Sequence, residues 1–168
     1  MRWFWMDRFT ELNSGQSAEA VKTVSLSEQQ LHDHFFCIPT MPNSLILEGM
    51  AQTSGMLVSE YNDFRERVIL AKVPKVQFHF RAVPGDTLIY RAKLEDIDTD
   101  GARAITTSHV GDRLQAEAEI LFVHLDPGTA HRPLFEPGEF LSILRVLRIL
   151  EVARKPDGSR IPVPQHLL

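Results

Sequence analysis

The stretch NSLILEGMAQTSGMLVSEY, from Asn43 to about Tyr61, decides the fold because it predicts one central helix. It contains no proline, which favours a helix. Gly49 and Gly55 disfavour one, because each costs about 1 kcal/mol of helix propensity. Small residues at such positions let neighbouring strands approach the helix axis closely. We therefore expect this helix to be buried on most sides. Its apolar and small residues recur at helical spacing: Leu47, Met50, Ala51, Ser54 and Val58.

Strand-like segments lie on both sides of this helix. Downstream, four of them cover residues 67–80, 86–97, 103–110 and 114–125, separated by the turn sequences VPGD, DTDG and VGD. This spacing of turns predicts an antiparallel meander. Upstream, FWMDRFTEL and AEAVKTVSL flank the turn NSGQ and predict a hairpin. A single helix feeding a long antiparallel sheet predicts an α+β domain in which the sheet wraps the helix.

The last part of the chain follows another pattern. The segment LDPGTAHRPLFEPG contains three prolines, and EFLSILRVLRILEVARK then predicts one amphipathic helix from about Gly138 to Lys155. Apolar positions go most of the way round this helix, so we expect it to pack on this domain or on a partner subunit rather than on a membrane. We divide the chain into a domain of residues 1–125 and a C-terminal extension of residues 126–168.

Composition and charge argue against several classes of protein. The 168 residues carry a formal net charge of −4 and lack the basic stripe of nucleic-acid-binding domains. Cys37 is the only cysteine in the sequence, which argues against disulfides and zinc–thiolate clusters and favours a cytoplasmic location. The apolar run at the N-terminus ends at Asp7, which is too short for a signal peptide or a membrane span. We expect no metal, nucleic acid or membrane as a partner.

Candidate chemistry concentrates in the segment that leads into the central helix. Ser44, Glu48 and Gln52 are four residues apart and therefore share one helix face, where they form either a structural hydrogen-bond network or part of a site. His34 precedes a proline-containing loop that ends at the helix N-terminus, near the N–H groups of Asn43 and Ser44. A titrating imidazole, a buried carboxyl group and a helix N-terminus can supply a base, an acid and an oxyanion site.

The segment HFFCIPTMPNSLILEGMAQ resembles the β-hydroxyacyl-acyl carrier protein dehydratases of the FabA/FabZ type, which have the hot-dog fold. His34, Pro39, Pro42, Glu48 and Gln52 stand in register with the pattern of that family. DRFTEL, AVKTVSL and FRAVPGDTL resemble other parts of the family, and the resemblance extends over roughly residues 3–125. It implies an α+β hot-dog domain at residues 1–125.

The resemblance also implies an activity. By this resemblance, His34 would remove the C2 proton of a (3R)-3-hydroxyacyl thioester, and Glu48 would protonate the departing C3 hydroxyl to leave a trans-2-enoyl thioester. Asn43, Ser44 and Gln52 are the implied substrate-binding residues, and no cofactor or metal is required. The implied partner is acyl carrier protein in fatty acid biosynthesis. The resemblance further implies a homodimer whose sites take residues from both subunits, and it leaves a hexamer open.

Three positions depart from the family pattern. Phe36 and Cys37 stand where the family has Pro-Gly, and Asn43 stands where it has a glycine before the helix. Asn43 is also a favourable N-cap, and as a cap its side chain would occupy backbone donors that the thioester needs. Two other functions therefore stay open. One is a hot-dog acyl thioesterase in which Glu48 directs a water, and the other is a non-catalytic acyl-thioester-binding protein.

Overall fold

A computed structural model describes residues 4–33, 38–65, 67–125 and 136–168. Among these residues, no helix is both long and apolar enough to cross a membrane. The helices are α1 (Gln29–Asp33), α2 (Asn43–Tyr61), α3 (Pro137–Val146) and α4 (Ile149–Val152), and a short 3₁₀ helix covers Gln165–Leu167. The strands are β1 (Arg8–Asn13), β2 (Ser17–Thr23), β3 (Arg67–Phe78), β4 (Thr87–Ile97), β5 (Gly101–Val110), β6 (Arg113–Leu125) and β7 (Ala153–Arg154).

The strands form one seven-stranded sheet in the order β3-β6-β5-β4-β2-β1-β7. Neighbouring strands are antiparallel, except that β7 runs parallel to β1. Helix α2 packs against five of the strands, from β2 to β6. The predicted α+β hot-dog arrangement, in which a sheet wraps one central helix, is thus confirmed, as are the predicted bounds of α2 and the β1–β2 hairpin.

The predicted four-stranded meander is only partly right. Strands β4, β5 and β6 form a meander, but β3 lies beyond β6 and pairs with it from Arg67↔Leu125 to Phe78↔Ala116. The chain therefore crosses from the edge of the sheet to its middle through residues 79–86. Local alternation and turn residues mark strands well, but the pairing of distant strands is settled by tertiary packing.

The inner face of the sheet is built from small residues that leave room for α2. Its alanines are almost fully buried and stand opposite the large side chains of the helix. Apolar area removed from water contributes about 25 cal/mol per Å², so burial at this contact stabilises the fold. The alanines are Ala18, Ala20, Ala92, Ala104, Ala116 and Ala118, and the helix contributes Ile46, Met50, Leu57 and Val58.

The C-terminal extension covers the outer edge of β1. The N–H of Phe9 donates to the carbonyl of Leu147 at 2.9 Å, and the N–H of Ser14 donates to the carbonyl of Arg154 at 2.9 Å. The single helix predicted from Gly138 to Lys155 is wrong, because it is divided into α3 and α4 at Leu147 and Arg148. Arg148 has a left-handed backbone (φ 59°), and the Leu147 carbonyl bonds to β1 instead of to a later turn of helix.

We predict that the extension is part of the folding unit. Leu144 of α3 is 0% exposed, so Leu144→Ala should lower the free energy of unfolding by about 2–5 kcal/mol. The matched control is Val146→Ala in the same helix, whose side chain is 71% exposed and whose loss should change stability by less than about 0.5 kcal/mol. Urea unfolding measures both variants. Equal midpoints would show that the extension is not packed on the domain.

Glu60, near the end of α2, should make stability depend on pH. Burial raises the pKa of this carboxyl above its ordinary value; a hydrogen bond to Ser14 lowers the pKa, and the nearby Asp63 raises it further. The protonated form fits the folded state, so its stabilising contribution is complete below the ordinary pKa and is lost as pH rises through the folded-state value. Each unit of upward shift corresponds to about 1.4 kcal/mol at high pH.

Glu60→Gln is therefore expected to raise the urea midpoint at pH 7 and to leave it nearly unchanged at pH 4. Glu136→Gln, at an exposed position, is the control and should show no such difference. The raised pKa of Glu60 would be contradicted by the opposite result, in which the wild type gains urea resistance over Glu60→Gln when the pH changes from 4 to 7.

Candidate active site

Glu48 lies on the side of α2 that faces away from the sheet. The buried side of this half of the helix contains Ile46, Gly49 and Met50, whereas Glu48 is exposed. Most residues of α2 are buried or half-buried, so the expectation of a helix buried on most sides is confirmed. The expectation of a buried Glu48 is wrong for the single protomer. A helical repeat shows which residues share a face, but it does not show whether that face is covered by the same chain or by another. The carboxyl group is accessible to a ligand.

Two of the three residues in the predicted polar line on α2 (Ser44, Glu48 and Gln52) are hydrogen-bonded to each other. The Nε2 of Gln52 donates to Oε1 of Glu48 at 2.9 Å. The Oε1 of Gln52 accepts from the main-chain N–H of Trp5, also at 2.9 Å. The substrate-binding role of Gln52 stays a prediction, while its side chain connects the N-terminal segment to Glu48.

The N-terminus of α2 carries no side-chain cap among the described residues. Pro42 is the N-cap, and its carbonyl accepts from the N–H groups of Leu45 (3.0 Å) and Ile46 (3.1 Å). Asn43 is the first helical residue, so the predicted capping by its side chain is wrong. Asn43 and Ser44 are exposed, and the positive end of the helix is open to an anionic group. Their role in binding substrate stays a prediction.

His34, Phe36 and Cys37 lie outside the described residues. The elements before and after them are tied to the body of the domain. Helix α1 is held by Leu31, which is 1% exposed, and the Lys22 ammonium ion-pairs with Glu28 at 2.6 Å just before the helix. On the other side, Met41 donates its N–H to the carbonyl of Ala82 at 2.9 Å. The described elements on both sides of His34 are therefore held to the body of the domain.

The contribution of Trp5 to the site was not predicted from the sequence. Its main chain crosses α2 so closely that a Cβ on Gly49 would lie 2.6 Å from the Trp5 carbonyl oxygen. Because the contact uses main-chain atoms, the identity of residue 5 does not reveal it. The one available signal is Gly49 itself, which is a costly residue inside a helix unless something approaches closely.

The site places a carboxyl group and the N-terminus of a helix on one exposed surface. Ser44 and Glu48 are four positions apart in the helix, which is a rise of about 6 Å along the axis. A small substrate can therefore span both the helix N-terminus and the carboxyl group. The helix end favours an oxygen that becomes negative during the reaction, and the carboxyl group can give or take a proton.

Comparison with protein families gives one match over most of the chain. Residues 3–119 match the model of the FabA-like domain. The 3-hydroxyacyl-[acyl-carrier-protein] dehydratase FabZ of Caldanaerobacter subterraneus is 33% identical over 119 residues, which cover 70% of this chain and 84% of that protein. The protein of the same name from Fusobacterium nucleatum is 35% identical over 123 residues, with coverages of 72% and 86%.

Solved structures agree on the fold. The uncharacterized protein PH1136 of Pyrococcus horikoshii superposes with a TM-score of 0.61 at 14% identity, covering 73% of this chain and 85% of that one. An acyl-CoA hydrolase of Staphylococcus aureus, solved with butyryl coenzyme A, gives a TM-score of 0.54 at 19% identity, with coverages of 67% and 65%. At these identities, the similarity concerns the fold alone.

Proposed function

Because the chain belongs to the FabA/FabZ dehydratase family, we propose that it removes water from a (3R)-3-hydroxyacyl thioester carried by acyl carrier protein. His34 takes the C2 proton, and the electron pair of that C–H bond becomes the C2=C3 bond. Glu48 gives its proton to the C3 hydroxyl, which leaves as water. The product is a trans-2-enoyl thioester, an intermediate of fatty acid biosynthesis.

The observation that carries this proposal is the accessible carboxyl group of Glu48 beside an uncapped helix N-terminus. Removing the C2 proton puts negative charge on the thioester carbonyl oxygen, and backbone donors at Asn43 and Ser44 would stabilise that charge. One such donor is typically worth about 10² to 10³ in rate. Proton transfer by a positioned side chain adds about 10² to 10⁴.

We further propose that the enzyme is a homodimer formed through β3. This strand ends the sheet, and it exposes several apolar side chains together with its neighbour β6. An open apolar edge is a template for another strand, and a second copy of the chain is the simplest occupant. The exposed apolar residues are Ile69, Leu70, Val76 and Val123, with exposed fractions from 38% to 41%.

In such a dimer the exposed face of α2 would meet the other subunit. Glu48 of one protomer would then complete its site with the partner subunit's His34. The position of Glu48 on an uncovered face of the protomer supports this assignment, because an acid must be shielded from bulk water during the reaction. The uncapped helix end at Asn43 supports a site that still has room for the thioester carbonyl.

Mass spectrometry of the acyl group tests the activity. The purified protein is incubated with (3R)-3-hydroxyacyl-acyl carrier protein of several chain lengths, alongside His34→Ala and His32→Ala. We expect loss of one water with the wild type and with His32→Ala. His32 is the control because its imidazole, in α1, is hydrogen-bonded to the Leu26 carbonyl at 2.6 Å. His34→Ala should leave the substrate unchanged.

The other two functions give different products. Release of free acid would identify a thioesterase, in which Glu48 acts on a water. A substrate that binds but stays unchanged would identify a non-catalytic acyl-thioester-binding protein. Either result would overturn the dehydratase assignment.

A further inference from the structure

Gln52 has a defined amide orientation, because its oxygen faces a group that can only donate a hydrogen bond. The Trp5 main-chain N–H can only donate, so the atom 2.9 Å from it is the Gln52 oxygen. The amide nitrogen therefore faces Glu48, where Nε2 lies 2.9 Å from Oε1. A side-chain NH₂ group can only donate, and Oε1 of Glu48 is consequently an acceptor in both protonation states.

We propose that Gln52 is a positioning residue for Glu48, fixed by the main chain of Trp5, and that it directs the transferable proton to Oε2 of Glu48. The inference rests on the proposed dehydration. With Oε1 occupied as an acceptor, a proton on the carboxyl group resides on Oε2. That proton goes to the C3 hydroxyl as the C3–O bond breaks, and the carboxylate left behind keeps its hydrogen bond from Gln52.

The anchor of this arrangement is held from several directions. The Trp5 carbonyl oxygen sits against Gly49, where an added Cβ would be only 2.6 Å away. Met6, the next residue, is 3% exposed. Asp7 then donates its N–H to the Val21 carbonyl of β2 at 2.7 Å. The main chain at Trp5 is thus fixed relative to both α2 and the sheet, and Gln52 cannot turn its amide without losing a bond.

Because Glu48 is exposed, its side chain needs a hydrogen bond such as the one from Gln52 to hold it in one orientation. Glu48 is exposed in the protomer, whereas Gln52 and Trp5 are partly buried. An exposed glutamate side chain samples several rotamers, and one that acts as an acid has to occupy a single geometry when the substrate arrives. The hydrogen bond from Gln52 connects this mobile side chain to rigid main chain.

Two substitutions at Gln52 separate donation from anchoring. Gln52→Met has a similar length and removes both hydrogen bonds. Gln52→Glu keeps an oxygen for the Trp5 N–H but, when ionised, has no proton to donate to Glu48. We expect both variants to lose about 10- to 100-fold in kcat, the factor that corresponds to one hydrogen bond to a charged group. The KM should change by less than about 2-fold, since the lost interaction supports proton transfer rather than binding.

The matched control is Gln165→Met, at an exposed position in the C-terminal 3₁₀ helix, which should keep wild-type kinetics. Thermal melts establish that each variant is folded, and Gln52→Glu carries the comparison if Gln52→Met does not fold. Amide exchange of ¹⁵N-labelled Trp5 should accelerate in Gln52→Met and stay slow in Gln52→Glu.

The possible results are distinguishable. A Gln52→Glu variant with near wild-type kcat would overturn the inference and leave the dehydratase standing, because Gln52 would then only hold the N-terminal segment. A raised KM at unchanged kcat would also overturn it and would assign Gln52 to substrate binding. A wild-type protein that removes no water would overturn the proposed function, and the inference with it.

Discussion

Mixing two inactive variants, His34→Ala and Glu48→Gln, is expected to restore about a quarter of the wild-type dehydration rate, because two-fold symmetry gives each mixed dimer of the proposed kind one intact site. Each variant alone lacks either the proposed base or the proposed acid and should lose about 10² to 10⁴ in rate. In an equal mixture, random pairing makes about half of the dimers mixed, and about half of their sites are complete. The measurement is water loss from the acyl thioester after the subunits have been allowed to exchange.

A second mixture distinguishes the two placements of the site. Wild type is combined with the double variant that carries both substitutions. If sites are shared, mixed dimers contain no complete site, and about a quarter of the activity remains. If His34 and Glu48 of one chain form the site, about half remains, and the mixture of single variants stays inactive. That pair of results would contradict the shared site without contradicting the dehydratase.

Alanine at Gly49 and alanine at Gly55 are expected to have opposite effects on stability, although both glycines lie in α2. At Gly49 a Cβ would lie 2.6 Å from both the Trp5 carbonyl oxygen and the Tyr90 ring. Tyr90 is 0% exposed and cannot move aside freely, so the overpacking should cost about 1–3 kcal/mol. Helix propensity offsets up to about 1 kcal/mol of this.

At Gly55 the nearest atom to a Cβ is Cε1 of Phe122 at 3.5 Å, which is ordinary contact. Gly55→Ala should therefore gain up to about 1 kcal/mol from helix propensity alone. Urea unfolding of both variants measures the difference, and the activity of Gly49→Ala reports whether displacement of Trp5 disturbs Glu48. Equal stabilisation by both alanines would mean that the N-terminal segment does not sit against Gly49.

Elements whose signal is local were predicted well. Helix α2 begins and ends where the sequence indicates, because the prolines before Asn43 and the spacing of small and apolar residues are both local properties. The β1–β2 hairpin follows for the same reason. The site was predicted as a face of this helix, and the Gln52–Glu48 hydrogen bond lies on that face.

Features that depend on distant contacts were not predicted. The place of β3 beside β6 is settled by tertiary packing. The break between α3 and α4 depends on a hydrogen bond between the Leu147 carbonyl and Phe9, more than a hundred residues away in sequence. Exposure of Glu48 depends on what lies over α2, and the contact with Trp5 uses main-chain atoms. Neither depends on a residue type that a pattern could mark.

The C-terminal extension gives the sheet one closed end. Strand β7 and the segment that folds back over it occupy the outer edge of β1, where Arg154 pairs with Arg160. Strand β3 is then the one end of the sheet, within the described part of the chain, at which another strand can add. A protomer with one open strand edge can pair through that edge with one other protomer and no more. Association by strand addition should therefore stop at two protomers. A higher protein concentration should raise the fraction of dimer without producing fibres.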